Sequence, residues 1–163
     1  MTEQLPLKSK AEIEIMRRAS MIVFEVLQTL GELVKPGVTT WELNEKAGEL
    51  TAKRGAKPAF LGYPSANKSV PPFPGVICAS VNEVIVHGIP DKQPLKEGDI
   101  LSIDYGCIHQ GFFGDSAITV PVGKIRPLQC PGGFLFIQVQ HGITLEYFTL
   151  VHFFHRSADL ALP

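Results

Sequence analysis

Apolar residues recur every three to four positions between residues 13 and 34, which is the spacing of one face of an α-helix. Ser9 followed by Glu12 fits a capping box, the pattern that opens many helices. The helix is predicted to end near Val34, because Lys35-Pro36-Gly37 cannot continue it. Its predicted apolar face consists of Ile13, Met16, Ala19, Val23, Val26, Leu27, Leu30 and Val34.

A second capping box, Thr39-Thr40-Trp41-Glu42, predicts another helix directly afterwards. Gly55 is its predicted stop. Residues 62–75 contain four prolines and two glycines, so they are predicted to form a loop. The apolar face of this second helix is formed by Leu43, Ala47 and Leu50.

Three β-prone runs follow the loop, at residues 76–81, 100–108 and 112–122. The last two are close enough along the chain to pair as an antiparallel hairpin. Two helices followed by a mainly antiparallel sheet predict an α+β fold.

Composition and charge narrow the class of protein. The chain has 163 residues, a formal charge of −1, 45% apolar residues and a mean hydropathy of +0.14, which is globular composition and excludes a disordered protein. The near-neutral charge also argues against a nucleic-acid partner. The three cysteines are far apart and form no CxxC pair, which predicts a cytoplasmic protein. The charged N-terminus does not resemble a signal peptide, and the apolar stretch at 132–154 is interrupted by polar residues. No membrane partner is therefore predicted.

The composition changes near residue 127. Residues 127–163 contain only three charged residues, whereas residues 1–126 contain the other 28. We therefore divide the chain into a domain at 1–126 and a tail at 127–163. The tail is either a buried terminal element or a segment unrelated to the domain before it, as a frameshift would produce.

Two acidic residues, Asp104 and Asp115, interrupt the apolar hairpin. A two-residue loop at His109 and Gln110 would place them directly opposite each other, whereas a three-residue loop ending at Gly111 would need a bulge. Paired carboxylates repel, and one divalent cation or two would reverse that repulsion. The alternative is that one aspartate is a solvated turn residue and the other faces water.

Two other residues have a functional and a purely structural interpretation. His87 lies at the end of an apolar run before Gly88 and Pro90, where it is either a turn residue or an imidazole that hydrogen-bonds a substrate. Cys78 lies in a β-prone run and is by default a small buried apolar residue.

Several segments together resemble type I methionine aminopeptidases: KPGVTTWELNEKA, PAFLGY, FPGVICASVNEVIVHGIP, LKEGDILSIDYG and GFFGDSAITVPVG. The resemblance covers residues 8–124. It implies the pita-bread fold, of which this chain would hold only the first of two pseudosymmetric halves. It also implies removal of the initiator methionine from nascent proteins by a divalent metal pair, whether cobalt, manganese, iron or zinc.

Carried over by this resemblance, Asp104 and Asp115 are metal ligands, and Asp115 bridges both ions. His87 is the catalytic histidine near the amino end of the substrate. Tyr63, Phe73 and Cys78 line the methionine pocket, where soft and aromatic contacts suit a thioether. A nine-residue insertion, PSANKSVPP, separates Tyr63 from Phe73.

The resemblance ends near Lys124, and members of the family supply a histidine and two glutamates from their second half. The His141-Gly142-Ile143 sequence matches the histidine motif too early in the chain, so the ligand set is expected to be incomplete and this chain inactive. Expected partners are N-terminal methionine peptides and the ribosome. The alternatives are a non-catalytic interaction module and a prolidase-type relative.

Overall fold

Two helices precede an antiparallel sheet in the computed structural model, which describes residues 7–124 and 149–150. Both capping boxes predicted from the sequence are present. The first helix ends at Leu33 with Val34 as its C-cap, next to the predicted end, and Gly55 follows the second helix with a positive φ of 63°. The helices are α1, Lys10–Leu33, and α2, Thr40–Lys53.

The strands form one sheet around a central strand, β3. One edge of β3 pairs with β1 and β2, which follow each other along it, and the other edge pairs with β4. The three predicted β-prone runs are confirmed, with boundaries that differ by one residue. The strands are β1, Lys57–Pro58; β2, Ile77–Val81; β3, Ile100–His109; β4, Phe112–Pro121; and β5, Thr149–Leu150.

Two short strands were not predicted. β1 is only two residues long, and β5 comes from the tail and pairs with Ala117 and Ile118 of β4. The rest of residues 127–163 lies outside the described residues, so both interpretations of the tail stay predictions. Neither helix within residues 7–124 has the length and apolar character needed to cross a membrane.

The core lies between the helices and one face of the sheet. Alternate residues of β3, from Leu101 to Cys107, point into it and are fully buried. One polar pair lies inside this core, where the Tyr105 hydroxyl is 2.7 Å from that of Thr51. The Asn44 side chain of α2 accepts a hydrogen bond of 2.7 Å from the Val76 amide, which joins α2 to the start of β2.

The predicted apolar face of α1 is not buried in the first turns of the helix. Ile13 and Met16 are 54% and 37% exposed, whereas the residues of this face from Ala19 to Leu30 are buried. The tight contact between α1 and the sheet forms at Ala19, where its backbone meets Gly114 of β4. Ile13 and Met16 precede that contact and therefore keep much of their surface in water.

A substitution at Gly114 tests this contact. A Cβ atom there would lie 2.7 Å from the carbonyl carbon and oxygen of Ala19, so α1 must shift to admit it. We expect Gly114→Ala to lower the free energy of unfolding by about 1–3 kcal/mol, measured by urea denaturation. Gly48→Ala is the control, since its Cβ would lie 3.6 Å from Val76 in ordinary contact within a helix. This control should be neutral or stabilising by up to about 1 kcal/mol.

Candidate metal centre

The β3–β4 hairpin turns at Gln110 and Gly111, not at His109 and Gln110. Both turn residues have positive φ, 49° and 85°, as a type I′ turn requires. His109 therefore pairs with Phe112, and Asp104 faces Ala117 while Asp115 faces Gly106. The predicted pairing of the two aspartates directly opposite each other is wrong.

The two aspartates nevertheless share the face of the sheet that points away from the helices. They are diagonal neighbours across the hairpin, and such positions remain within reach of each other's side chains. Their carboxyl groups are joined by a hydrogen bond. The expectation that both carboxylates come together on one side of the hairpin is confirmed.

The surroundings of this aspartate pair shape its electrostatics. Partial burial raises the pKa of Asp115, and the hydrogen bond with Asp104 offsets part of that rise. A carboxyl group held close to a second one resists losing its proton. A cation between them would remove this penalty, since two adjacent oxygen donors suit hard divalent ions. The donor chemistry of the pair therefore fits a divalent metal.

Within residues 7–124 the aspartate pair is not joined by a further metal-binding side chain. No cluster of three or more histidine, cysteine, aspartate or glutamate side chains occurs in that segment. A metal site built from carboxylates uses more than two ligands to hold the ion. The expectation of an incomplete ligand set stays a prediction, because residues such as His141 lie outside the part of the chain that the structure describes.

Cys78 lies beside the aspartates, directly opposite Asp104 on the neighbouring strand. It is buried and forms no disulfide. Burial, together with the nearby charges of Asp104 and Asp115, raises the pKa of its thiol to about 12. The sequence-based expectation of an apolar, unreactive cysteine therefore agrees with its position.

This thiol should resist alkylation. We expect Cys78 in the folded chain to remain unmodified by iodoacetamide at pH 8, because the reactive thiolate is scarce when the pKa is about 12. Peptide mass spectrometry measures the modification, and the same reaction in urea provides the fully reactive reference. Rapid labelling of Cys78 in the folded chain would contradict the burial and charge described here.

Tyr63 and Phe73 lie at the two ends of the insertion and are held together by the backbone. The Gly62 amide donates to the Phe73 carbonyl at 2.8 Å, and the Phe73 amide donates to the Tyr63 carbonyl at 2.9 Å. These bonds hold the two ends of the insertion next to each other, so the insertion forms a loop that leaves Tyr63 and Phe73 adjacent. A role for both side chains in a methionine pocket stays a prediction.

His87 is exposed and has a positive φ of 59°, which is uncommon outside glycine. The next residue, Gly88, packs so tightly on Ala79 that a Cβ atom would overlap the Ala79 carbonyl. Ala79 and the neighbouring Ser80 belong to β2, the strand that also carries Cys78. His87 is thus fixed through its neighbour to the strand that flanks Asp104.

Sequence reasoning missed Phe60, whose ring lies over Gly106. A Cβ at Gly106 would be 3.0 Å from the Phe60 ring, so a larger residue there would require the ring to shift slightly. Gly106 is also the residue opposite Asp115, which places an aromatic ring next to the aspartate pair. A glycine inside a strand signals the close approach of another group, and Gly106 carried that signal in the sequence.

A model of metallopeptidase family M24 matches residues 14–130. The chain is 52% identical over 124 residues to a methionine aminopeptidase of Aquifex aeolicus (strain VF5), covering 76% of this chain and 48% of that protein. It is 47% identical over 118 residues to methionine aminopeptidase 1 of Bacillus subtilis (strain 168), covering 72% and 45%.

Solved structures show the same fold. The methionine aminopeptidase of Rickettsia prowazekii matches with a TM-score of 0.69 and 35% identity, over 76% of this chain and 47% of that one. The prolidase from Pyrococcus furiosus matches with a TM-score of 0.60 and 21% identity, over 74% and 32%, which is a likeness of fold alone. The chain spans about half the length of the curated relatives it matches. The resemblance seen in the sequence is confirmed.

Proposed function

The chain belongs to metallopeptidase family M24 and has the pita-bread fold, and from this premise we propose that it carries the two-aspartate part of a site that removes N-terminal methionine. The observation that carries this proposal is the contact of the Asp104 and Asp115 carboxyl groups on the open face of the hairpin. Methionine aminopeptidase is preferred over a prolidase-type activity because the similar curated relatives carry that name.

In this proposal Asp104 and Asp115 hold a divalent cation, which is cobalt, manganese, iron or zinc. A bound cation of this kind supplies Lewis acidity toward water and a peptide carbonyl. In the same proposal, the exposed His87 forms a hydrogen bond with the amino end of a peptide substrate. Cys78 contributes a soft, uncharged surface beside the aspartates, which suits a methionine side chain.

The substrates in this proposal are peptides and nascent chains that begin with methionine, and the ribosome is the site where such chains become available. The cytoplasm is the proposed location, supported by the two buried free cysteines, Cys78 and Cys107. A non-catalytic interaction module is the second proposal, supported by the finding that no third metal-binding side chain clusters with the pair within residues 7–124.

Titration with Mn²⁺ in a calorimeter tests the metal assignment. We expect one weak site per chain, and no measurable binding by Asp104→Asn or Asp115→Asn, because each change removes an anionic oxygen donor. Glu45→Gln is the matched control: it removes one exposed carboxylate from α2, on the opposite side of the sheet. Binding that survives both aspartate changes, or that Glu45→Gln abolishes, would show that the cation lies elsewhere.

A further inference from the structure

The loop that carries His87 is fixed at both ends by side chains for which the sequence offered no role. This loop, residues 82–90, leaves the end of β2 and returns along the same strand. From its geometry we infer that Asn82 and Ser80 are positioning residues that hold His87 in its left-handed conformation next to the strand facing Asp104. The inference rests on the proposed function of His87.

Asn82 fixes the start of the loop. Its backbone has a positive φ of 52°, and its amide donates to the Ile100 carbonyl at 2.9 Å. Its side chain then accepts from the Ile100 amide at 3.0 Å and donates to Asp99 at 2.9 Å. One asparagine therefore makes three hydrogen bonds to the start of β3. Asparagine tolerates the left-handed region better than most residues because its short side-chain amide can form hydrogen bonds with nearby groups.

Asp99 strengthens this end of the loop. Its second carboxylate oxygen accepts from the Lys96 amide at 2.8 Å. The bond from Asn82, with that from the Lys96 amide, lowers the pKa of Asp99, so the carboxylate stays ionised at neutral pH. A hydrogen bond to an ionised acceptor is stronger than one between neutral groups.

Ser80 fixes the end of the loop next to His87. Its hydroxyl accepts a hydrogen bond of 3.2 Å from the Gly88 amide, and the Gly88 carbonyl accepts one of 2.8 Å from the Ala79 amide. Ser80 is only 5% exposed, so loss of its hydroxyl would leave the Gly88 amide without this partner in a partly buried place. These two bonds set the path of the backbone directly after His87.

The positive φ of His87 needs such support. A histidine in the left-handed region is less stable than in the common regions, and it persists when neighbouring contacts determine the backbone. Asn82 fixes the chain five residues before His87, and Ser80 fixes it one residue after. Because Ser80 lies two residues from Cys78 on β2, this arrangement keeps His87 near the position opposite Asp104.

Nuclear magnetic resonance of the 163-residue chain tests the inference without any activity. A positive φ gives a strong nuclear Overhauser effect between a residue's own amide and Hα protons. We expect Ser80→Ala to weaken this signal at His87 and to accelerate hydrogen exchange of the Gly88 amide by about tenfold or more. Ser102→Ala is the control, since Ser102 is the cross-strand neighbour of Ser80 and its hydroxyl bonds to Thr119. It should leave both signals unchanged.

Asn82→Gly provides the second variant. Glycine accepts the positive φ of an exposed position but removes both side-chain bonds, so the fold should survive while the His87 signal weakens. If Ser80→Ala does not fold, Asn82→Gly decides the question. An unchanged signal at His87 in the variants that fold would overturn the inference. If His87 responds as expected and the calorimeter shows no Mn²⁺ binding, the positioning role stands and the proposed function fails.

Discussion

Asp115→Asn is expected to make the metal-free protein more stable at pH 7, even though it removes metal binding. Partial burial raises the pKa of Asp115 in the folded chain above that of the unfolded chain. Such a group stabilises the fold fully below its unfolded pKa of about 4, and this contribution is lost as the pH rises through the folded value. Once the pH is above that folded value, the ionised Asp115 lies beside a second carboxylate, and the repulsion lowers the stability of the fold.

Asparagine removes this repulsion and keeps a donor for Asp104. We expect a gain of about 1 kcal/mol at most in the free energy of unfolding, since water screens part of the repulsion. Urea denaturation at several pH values measures it, and the gain should shrink as the pH falls toward 4. With Mn²⁺ at ten times its dissociation constant, the unsubstituted protein should gain about 1.4 kcal/mol and the variant nothing. A variant that is less stable than the unsubstituted protein without metal would contradict this explanation.

The second large effect concerns catalysis. We expect the 163-residue chain alone to release methionine from a Met-Ala-Ser peptide at no more than about a thousandth of the rate of the Aquifex aeolicus relative, because positioned acid–base groups alone contribute about 10²–10⁴-fold. Within residues 7–124, no third histidine, cysteine, aspartate or glutamate joins the two carboxylates in a metal-binding cluster. The assay uses added Mn²⁺, Co²⁺ or Fe²⁺.

Fast turnover that Asp104→Ala or Asp115→Ala abolishes would contradict this expectation. It would mean that residues outside the described part of the chain complete the site. In that case the first candidate ligands to test by substitution would be His141, His152, His155 and Glu146.

The helices could be predicted almost to the residue because their boundaries are set locally. Ser9 and Glu12 interact over three positions of the chain, and Gly55 adopts a conformation that glycine accepts readily. The strand boundaries could be predicted equally well, since β-branched and apolar residues alternate there. These signals need no knowledge of the rest of the molecule.

The hairpin register was predicted wrongly for a definable reason. Gln110 occupies a left-handed position that usually takes asparagine, aspartate or glycine, so the sequence did not mark the turn clearly. Moving the loop one residue along the chain changes the pairing by two residues. A shift of two keeps every side chain on its face, and Asp104 and Asp115 therefore stayed together although their partners changed.

The remaining parts of the site depend on contacts between distant segments. Phe60 reaches Gly106, and Ser80 holds Gly88, through packing that no local pattern encodes. The distance from Asn44 to its partner Val76 along the chain is 32 residues. Such contacts follow from the fold as a whole, so the sequence indicated the aspartates but not the residues that surround and position them.

Paramagnetic broadening by Mn²⁺ tests the central claim most directly, because it locates the ion on the molecule. In amide spectra of the folded chain, substoichiometric Mn²⁺ should first broaden the signals of Asp104, Asp115 and their strand neighbours Cys78 and Ala117. The same spectra of Asp115→Asn should show no such selective loss. Selective broadening around Glu45 on α2, or uniform broadening that Asp115→Asn leaves unchanged, would contradict a metal site on the aspartate pair.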